Sequence, residues 1–214
     1  MSRVAIVCPG RGCYTGLAVA GVLEFDEGFR LVQEMAIRQE ESGGGGQLMN
    51  RIVDDEWCPD AARVAAVEQA LEGAASQAFR SIELVGHGPY HTPLLEDVAA
   101  RAQTQLAGLD FRKPRLPLVD GRGVRHSPWS TDVAALRDYT LMHQMTHPFD
   151  FSCALRFVLR ECAPDELVLT GPGNTLGGVC GQVLVREGWR GMHSKCDFEV
   201  RQATAGAVVR SLGR

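Results

Sequence analysis

Apolar residues along the chain alternate between short unbroken runs and helical periods. Val4-Ala5-Ile6-Val7-Cys8 is a continuous apolar run of strand length, the pattern of a strand buried on both faces. It leads into a glycine-rich loop, residues 9–16, and then the small-residue helical segment Leu17 to Leu23. Asp26 caps the next predicted helix, with Phe29, Val32, Met35 and Ala36 on its buried stripe and Glu41 near its end. The glycines at 43–46 stop it and make a flexible connection. A strand follows at Gln47 to Val53, then a helix capped by Asp60 that buries Val64, Val67 and Leu71. Phe79 to Val85 reads as another strand, and Pro93 opens a helix through Val98 and Leu106. Leu116 to Val119 is a short strand, and Thr131 or Asp132 starts a helix through Leu136, Tyr139 and Met142. After the Pro148 break come a helix from Phe149 to Cys162 and the last clear strand, Glu166 to Thr170. A further helix lies beyond the loop at 171–178. Strands alternating with helices predict an α/β fold with a mainly parallel sheet.

Composition narrows the class. A chain of 214 residues with 45% hydrophobic residues can bury one core, with room for a small subdomain. A formal net charge of −4 without a Lys/Arg block argues against nucleic acid as the main partner. No apolar run approaches the roughly 20 residues of a membrane span, and the N-terminal residues lack the pattern of a signal peptide. Seven cysteines without a CxxC pair read as reduced thiols. The expectation is a soluble cytoplasmic protein with no membrane partner.

Candidate chemistry concentrates in two loops. Pro9-Gly10-Arg11-Gly12-Cys13-Tyr14-Thr15-Gly16 follows a strand and precedes a helix. Such a loop can cradle a phosphate or lend a backbone N–H to an oxyanion hole. Its spacing is not the dinucleotide fingerprint, and no Gly-Lys-Ser/Thr is present. The second loop is Gly86-His87-Gly88-Pro89-Tyr90-His91-Thr92-Pro93. Its glycines and prolines bar a regular helix, and a histidine on a rigid strand-to-helix turn suits a general base. A lone histidine in a turn is more often simply a surface residue. His143-x-x-x-His147 places two imidazoles on one helix face, a spacing that can bind zinc. With no third ligand evident and Pro148 breaking the helix, no metal is assigned. Cys13, beside a helix N-terminus, is the one thiol with a reason to be activated, against the alternative of a buried structural cysteine.

Tyr90-His91-Thr92-Pro93-Leu94-Leu95 resembles the aromatic-His-Ser/Thr-Pro-Leu-Met segment that carries the catalytic histidine of malonyl-CoA:acyl-carrier-protein transacylases. Cys8-Pro9-Gly10-Arg11-Gly12 is similar to their Phe-Pro-Gly-Gln-Gly oxyanion segment. Residues 21–32 look like the helix pair downstream of their nucleophile. Leu141-x-x-Gln144-x-x-x-Pro148-Phe149 and Thr170-Gly171-Pro172-Gly173-x-x-Leu176 match two further segments in order. The resemblance covers most of residues 3–185. It implies an α/β-hydrolase-like acyltransferase fold in one domain, with residues 47–85 a remnant of a small ferredoxin-like subdomain. It also implies His91 as general base, an oxyanion loop at Gly10, Arg11 and Gly12, and a turn at Thr170, Gly171, Pro172 and Gly173 that orients the histidine.

The departures carry equal weight. The family's nucleophilic serine sits in Gly-x-Ser-x-Gly, and that pattern occurs nowhere here. The chain passes from its first glycine-rich loop straight into the post-elbow helix, so internal deletions that include the elbow are expected. Losing that strand should leave an apolar face of the sheet uncovered. No nucleophile is assigned, and Cys13 is the substitute to test. The family's carboxylate-binding arginine aligns with Met35, which offers an acyl pocket an apolar wall and points to a neutral acyl group. The resemblance therefore implies acyl transfer from a coenzyme A thioester, as substrate, to an acyl carrier protein in fatty acid or polyketide synthesis, with no bound cofactor. The alternative is a non-catalytic acyltransferase-like module.

Overall fold

The computed structural model describes residues 3–8, 12–41, 45–71, 82–85, 87–171 and 176–213. Its central sheet has three parallel strands in the order β1 (Val4–Val7), β6 (Glu166–Leu169), β7 (Val209–Ser211). Val4 pairs with Glu166 and Val7 with Leu169, and Leu167 to Leu169 pair with β7. Two antiparallel pairs stand apart from it. One joins β2 (Leu48–Met49) and β3 (Ile82–Glu83), and the other joins β4 (Leu118–Val119) and β5 (Arg125–His126).

The helices are α1 (Gly12–Val19), α2 (Phe25–Glu41), α3 (Ala61–Leu71), α4 (Glu96–Gln105), α5 (Val133–Asp138), α6 (Gln144–Thr146), α7 (Phe151–Cys162), α8 (Leu176–Arg186) and α9 (Lys195–Gln202). Local chemistry places several of their starts. Asp60 accepts from the N–H groups of Ala62 and Arg63, Asp132 from those of Ala134 and Ala135, and Asp150 from that of Cys153. Each thus satisfies donors that a first helical turn leaves open. Two apolar clusters hold the molecule together. One joins α1, α2 and α4 to the 136–145 segment around Leu31, Met35, Leu95 and Leu141; the other joins β6 and β7 to α7, α8 and α9 around Leu159, Leu169 and Leu184.

Several expectations are corrected. β1 is an edge strand, and Val4 and Ile6 are about half exposed (51% and 47%), so it is not buried on both faces. α2 buries Gly28, Leu31 and Met35 rather than Phe29 and Val32, which are exposed. Gly28 brings α2 against Ala18 of α1, where an added Cβ would stand 3.3 Å from the Ala18 Cβ. That contact turns the helix by one residue, about 100°. α3 buries no residue, and Leu71 is exposed. The Leu116 to Val119 strand forms a hairpin with β5 instead of joining the parallel sheet. Within 47–85, β2 and β3 flank α3, and residues 72–81 lie outside the described part. α9 and β7 carry no clear sequence signal, since β7 is only three residues long.

Candidate active site

The loop before α4 is set by its own hydrogen bonds. Tyr90 N–H donates to the Gly88 carbonyl (2.8 Å), the Thr92 hydroxyl to the Pro89 carbonyl (2.7 Å), and Gln47 Nε2 to the Tyr90 carbonyl (3.2 Å). Gly45 seats this loop: it has φ +83°, and an added Cβ would stand 2.9 Å from Pro89. The described part of the glycine run is thus a packing contact rather than a free connection. His91 itself has φ +62°, a left-handed conformation that costs a non-glycine residue roughly 1–3 kcal/mol. The surrounding bonds hold it there.

His91 Nδ1 lies 2.6 Å from the Gln144 carbonyl oxygen. A carbonyl only accepts, so Nδ1 carries the proton and Nε2 keeps its lone pair. The carbonyl is available for a sequence reason. In an α-helix it would accept from residue 148, which is Pro148 and has no N–H; the last helical bond is His147 N–H to the His143 carbonyl (3.0 Å). Just upstream, Tyr139–His143 form a π-turn whose bonding brings Gln144 N–H to the Tyr139 carbonyl, a local widening that often occurs at functional sites. The orienting carbonyl thus belongs to Gln144, not to the 170–173 turn. Thr170 instead donates its hydroxyl to Cys8 Sγ (3.6 Å), Gly171 has φ +88°, and Pro172 and Gly173 lie outside the described residues. The Leu-x-x-Gln-x-x-x-Pro spacing was the available signal.

The imidazole is stacked on Phe149, with ring centroids 5.5 Å apart at 25°. Phe149 in turn lies against the backbone of Gly121, where an added Cβ would overlap the ring. Gly121 N–H donates to the Tyr139 hydroxyl (2.8 Å), and Asp150 N–H donates to the Gly121 carbonyl (3.2 Å). The next residue back, Asp120, is buried and accepts from His126 Nε2 (3.0 Å), the Arg122 guanidinium (2.6 Å) and the N–H groups of Arg122 and Val124. Burial pushes its carboxyl up, but His126, Arg122 and the two backbone donors outweigh it and hold the pKa at about 2.

Cys13 is partly buried and packs on the first apolar cluster. Desolvation pushes its thiol well up, and a hydrogen bond with the Gln144 side chain offsets only part of this. Burial thus acts against the activation expected at a helix terminus. Gly12 begins α1, and Gly10 and Arg11 of the oxyanion loop lie outside the described residues. Met35 is completely buried in the core and lines neither of the two main cavities found among the described residues. His143 and His147 stack at 4.1 Å, and no group of three metal-ligating side chains occurs among the described residues. No helix there is long and apolar enough to cross a membrane.

The chain is an α/β fold whose parallel sheet stands beside a histidine loop packed against a π-turn. No family model matches the sequence. The malonyl-CoA:acyl-carrier-protein transacylases of Salmonella typhimurium and Escherichia coli K12 are each 26% identical over 201 residues, covering 81% of this chain and 63% of theirs. Among solved structures, the Synechocystis sp. PCC 6803 malonyl-CoA:ACP transacylase aligns with a TM-score of 0.63 at 18% identity, over 95% of this chain and 67% of that one. The Xanthomonas oryzae transacylase gives 0.60 at 23%, over 80% and 62%. The chain is thus similar in sequence to malonyl-CoA:acyl-carrier-protein transacylases over four fifths of its length and shares their fold. It spans about 63% of the length of the curated relatives it matches.

Proposed function

We propose that this chain acts in acyl transfer from a coenzyme A thioester to an acyl carrier protein, the S-malonyltransferase type of reaction in fatty acid or polyketide synthesis. The observation that carries the reading is the His91 Nδ1 contact with the Gln144 carbonyl at 2.6 Å, which leaves Nε2 free to take a proton. A solved complex of a malonyl transacylase with its type II polyketide synthase carrier protein shares the fold (TM-score 0.62, 18% identity, 95% of this chain and 66% of that one) and supports a carrier protein as the partner. The acyl group stays open between malonyl and a neutral short acyl.

A second reading, a non-catalytic module, is favoured by the raised thiol of Cys13 and by the missing serine elbow. Without a nucleophile of its own, the chain can use His91 only to activate water. Nε2 takes a proton from water, the hydroxide adds to the thioester carbonyl, the C–S bond breaks, and the thiolate recovers the proton. Incubation with malonyl-CoA or acetyl-CoA, followed by assay of released thiol and intact-protein mass spectrometry, separates the two readings. With an acyl carrier protein added, acyl transfer gives an acylated carrier protein whose yield falls about 10²-fold or more in His91→Ala, whereas water activation alone gives no acyl adduct and a slow thiol release that falls likewise. Equal release by both proteins establishes the non-catalytic module. An adduct lost in Cys13→Ala overturns the assignment of the thiol as inert.

A further inference from the structure

The outer edge of β1 borders a cavity of about 440 Å³. Residues 3–8 all line it, and so do residues 116–121. Side chains alternate between the faces of a strand, so a cavity over one face would meet every second residue. Unbroken runs on both walls mean that the cavity lies edge-on between two extended segments. It is a slot with the shape of a missing strand.

Its chemistry selects an occupant. On the β6 side, Asp165 N–H donates to the Arg3 carbonyl (2.6 Å) and Thr170 N–H to the Val7 carbonyl (3.4 Å). Alternate residues of a parallel strand bond to the same neighbour, so the N–H and C=O groups of Val4 and Ile6 point into the slot. Among the described residues no strand pairs with that edge. The remaining walls are mostly apolar, with Leu17 from α1, Ala20 just beyond its end, and Leu155 and Val158 from α7. An aliphatic chain would cover those walls but strand the peptide groups without partners, which costs energy. An extended peptide satisfies both.

Size and chain length agree with this. One strand residue in a packed sheet takes roughly 160 Å³ from its spacings, so the slot holds about three residues, close to the four of β1. The curated relatives carry about a third more chain than aligns here (63% covered). A second folded copy is a poor fit, because the free edge faces residues 116–121 across the slot instead of open solvent.

We propose that this slot binds one extended peptide segment of another polypeptide with an uncharged apolar centre, added as a strand beside β1. The inference does not rest on the acyl-transfer reading.

The probe is a dye-labelled, N-acetylated and C-amidated heptapeptide, Lys-Val-Ala-Val-Ala-Val-Lys, followed by fluorescence anisotropy with the full chain. Saturable binding is expected in the wild type and equally in His91→Ala, so loss of catalysis leaves it untouched. Ile6→Pro removes an N–H that faces the slot and none that bonds β6; it should weaken binding roughly tenfold with circular dichroism unchanged. Ile6→Lys, at an exposed position, should weaken it similarly. No saturable binding overturns the proposal, as does equal binding of a peptide N-methylated at alternate residues. Displacement of the peptide by decanoic acid with no effect of Ile6→Pro would assign the slot to aliphatic chains instead. A wild-type dimer that Ile6→Pro dissociates would make the edge a self-interface and also overturn it.

Discussion

Replacing Gly121 with alanine tests whether the ring that stacks on His91 is seated by backbone. The added Cβ would overlap Cδ2 and Cε2 of Phe149 and stand 2.9 Å from the Tyr139 hydroxyl. Gly121 does not have a positive φ, so alanine carries no conformational strain there and would even gain a few tenths of a kcal/mol from the unfolded chain. Steric overlap decides the sign. Overpacking a filled site costs about 1–3 kcal/mol, and displacing Tyr139 from Gly121 N–H (2.8 Å) adds about 1 kcal/mol for a buried donor left unpaired. The expected loss is about 2–4 kcal/mol, read from the urea midpoint with an unchanged slope. Phe149 should also shift from its stack at 5.5 Å, moving the ring-proton signals of His91 in NMR spectra. Phe149→Leu in the same background should recover part of the loss, since neighbours sharing a contact are not additive. A variant within about 0.5 kcal/mol of wild type, with His91 signals unmoved, would refute the seating argument.

Asp120→Asn should flatten the acid limb of stability. A carboxyl held at about 2 in the folded chain binds its proton more weakly than in the unfolded chain, near 3.9. It therefore contributes stability above pH 4 that is lost as pH falls towards 2. Linkage puts that contribution at about 2–3 kcal/mol, and identical acid limbs in variant and wild type would contradict it. Cys13 should resist a thiol reagent at pH 8 while the exposed Cys58 and Cys196 react. Rapid Cys13 labelling, located by peptide mass spectrometry, would show that its thiol is not desolvated.

What the sequence determined by itself is local. The caps at Asp60 and Asp132 form as read because a side chain two or three residues from its N–H partners needs no tertiary help. Pro93 opens its helix for the same reason, through a fixed φ and a missing donor. The alternation of strands and helices placed β1, β6 and the helices between them, because burial periods are set by backbone geometry. Even the carbonyl offered to His91 is written locally, since Pro148 removes the donor that Gln144 would otherwise meet.

Tertiary structure decided the rest. Which residues joined Met35 on the buried stripe of α2 depended on the close approach of Gly28 to Ala18, which brought Leu31 inward and left Phe29 and Val32 exposed. Whether the Leu116 to Val119 run joined the main sheet depended on a partner, and it took β5. The water removed around the Cys13 thiol pushes its pKa up, and that burial could not be read from its place at a helix start. The apolar run of β1 cannot say whether both its edges are paired, because strand pairing is a property of what lies beside it. Here one side is β6, and the other is an open slot.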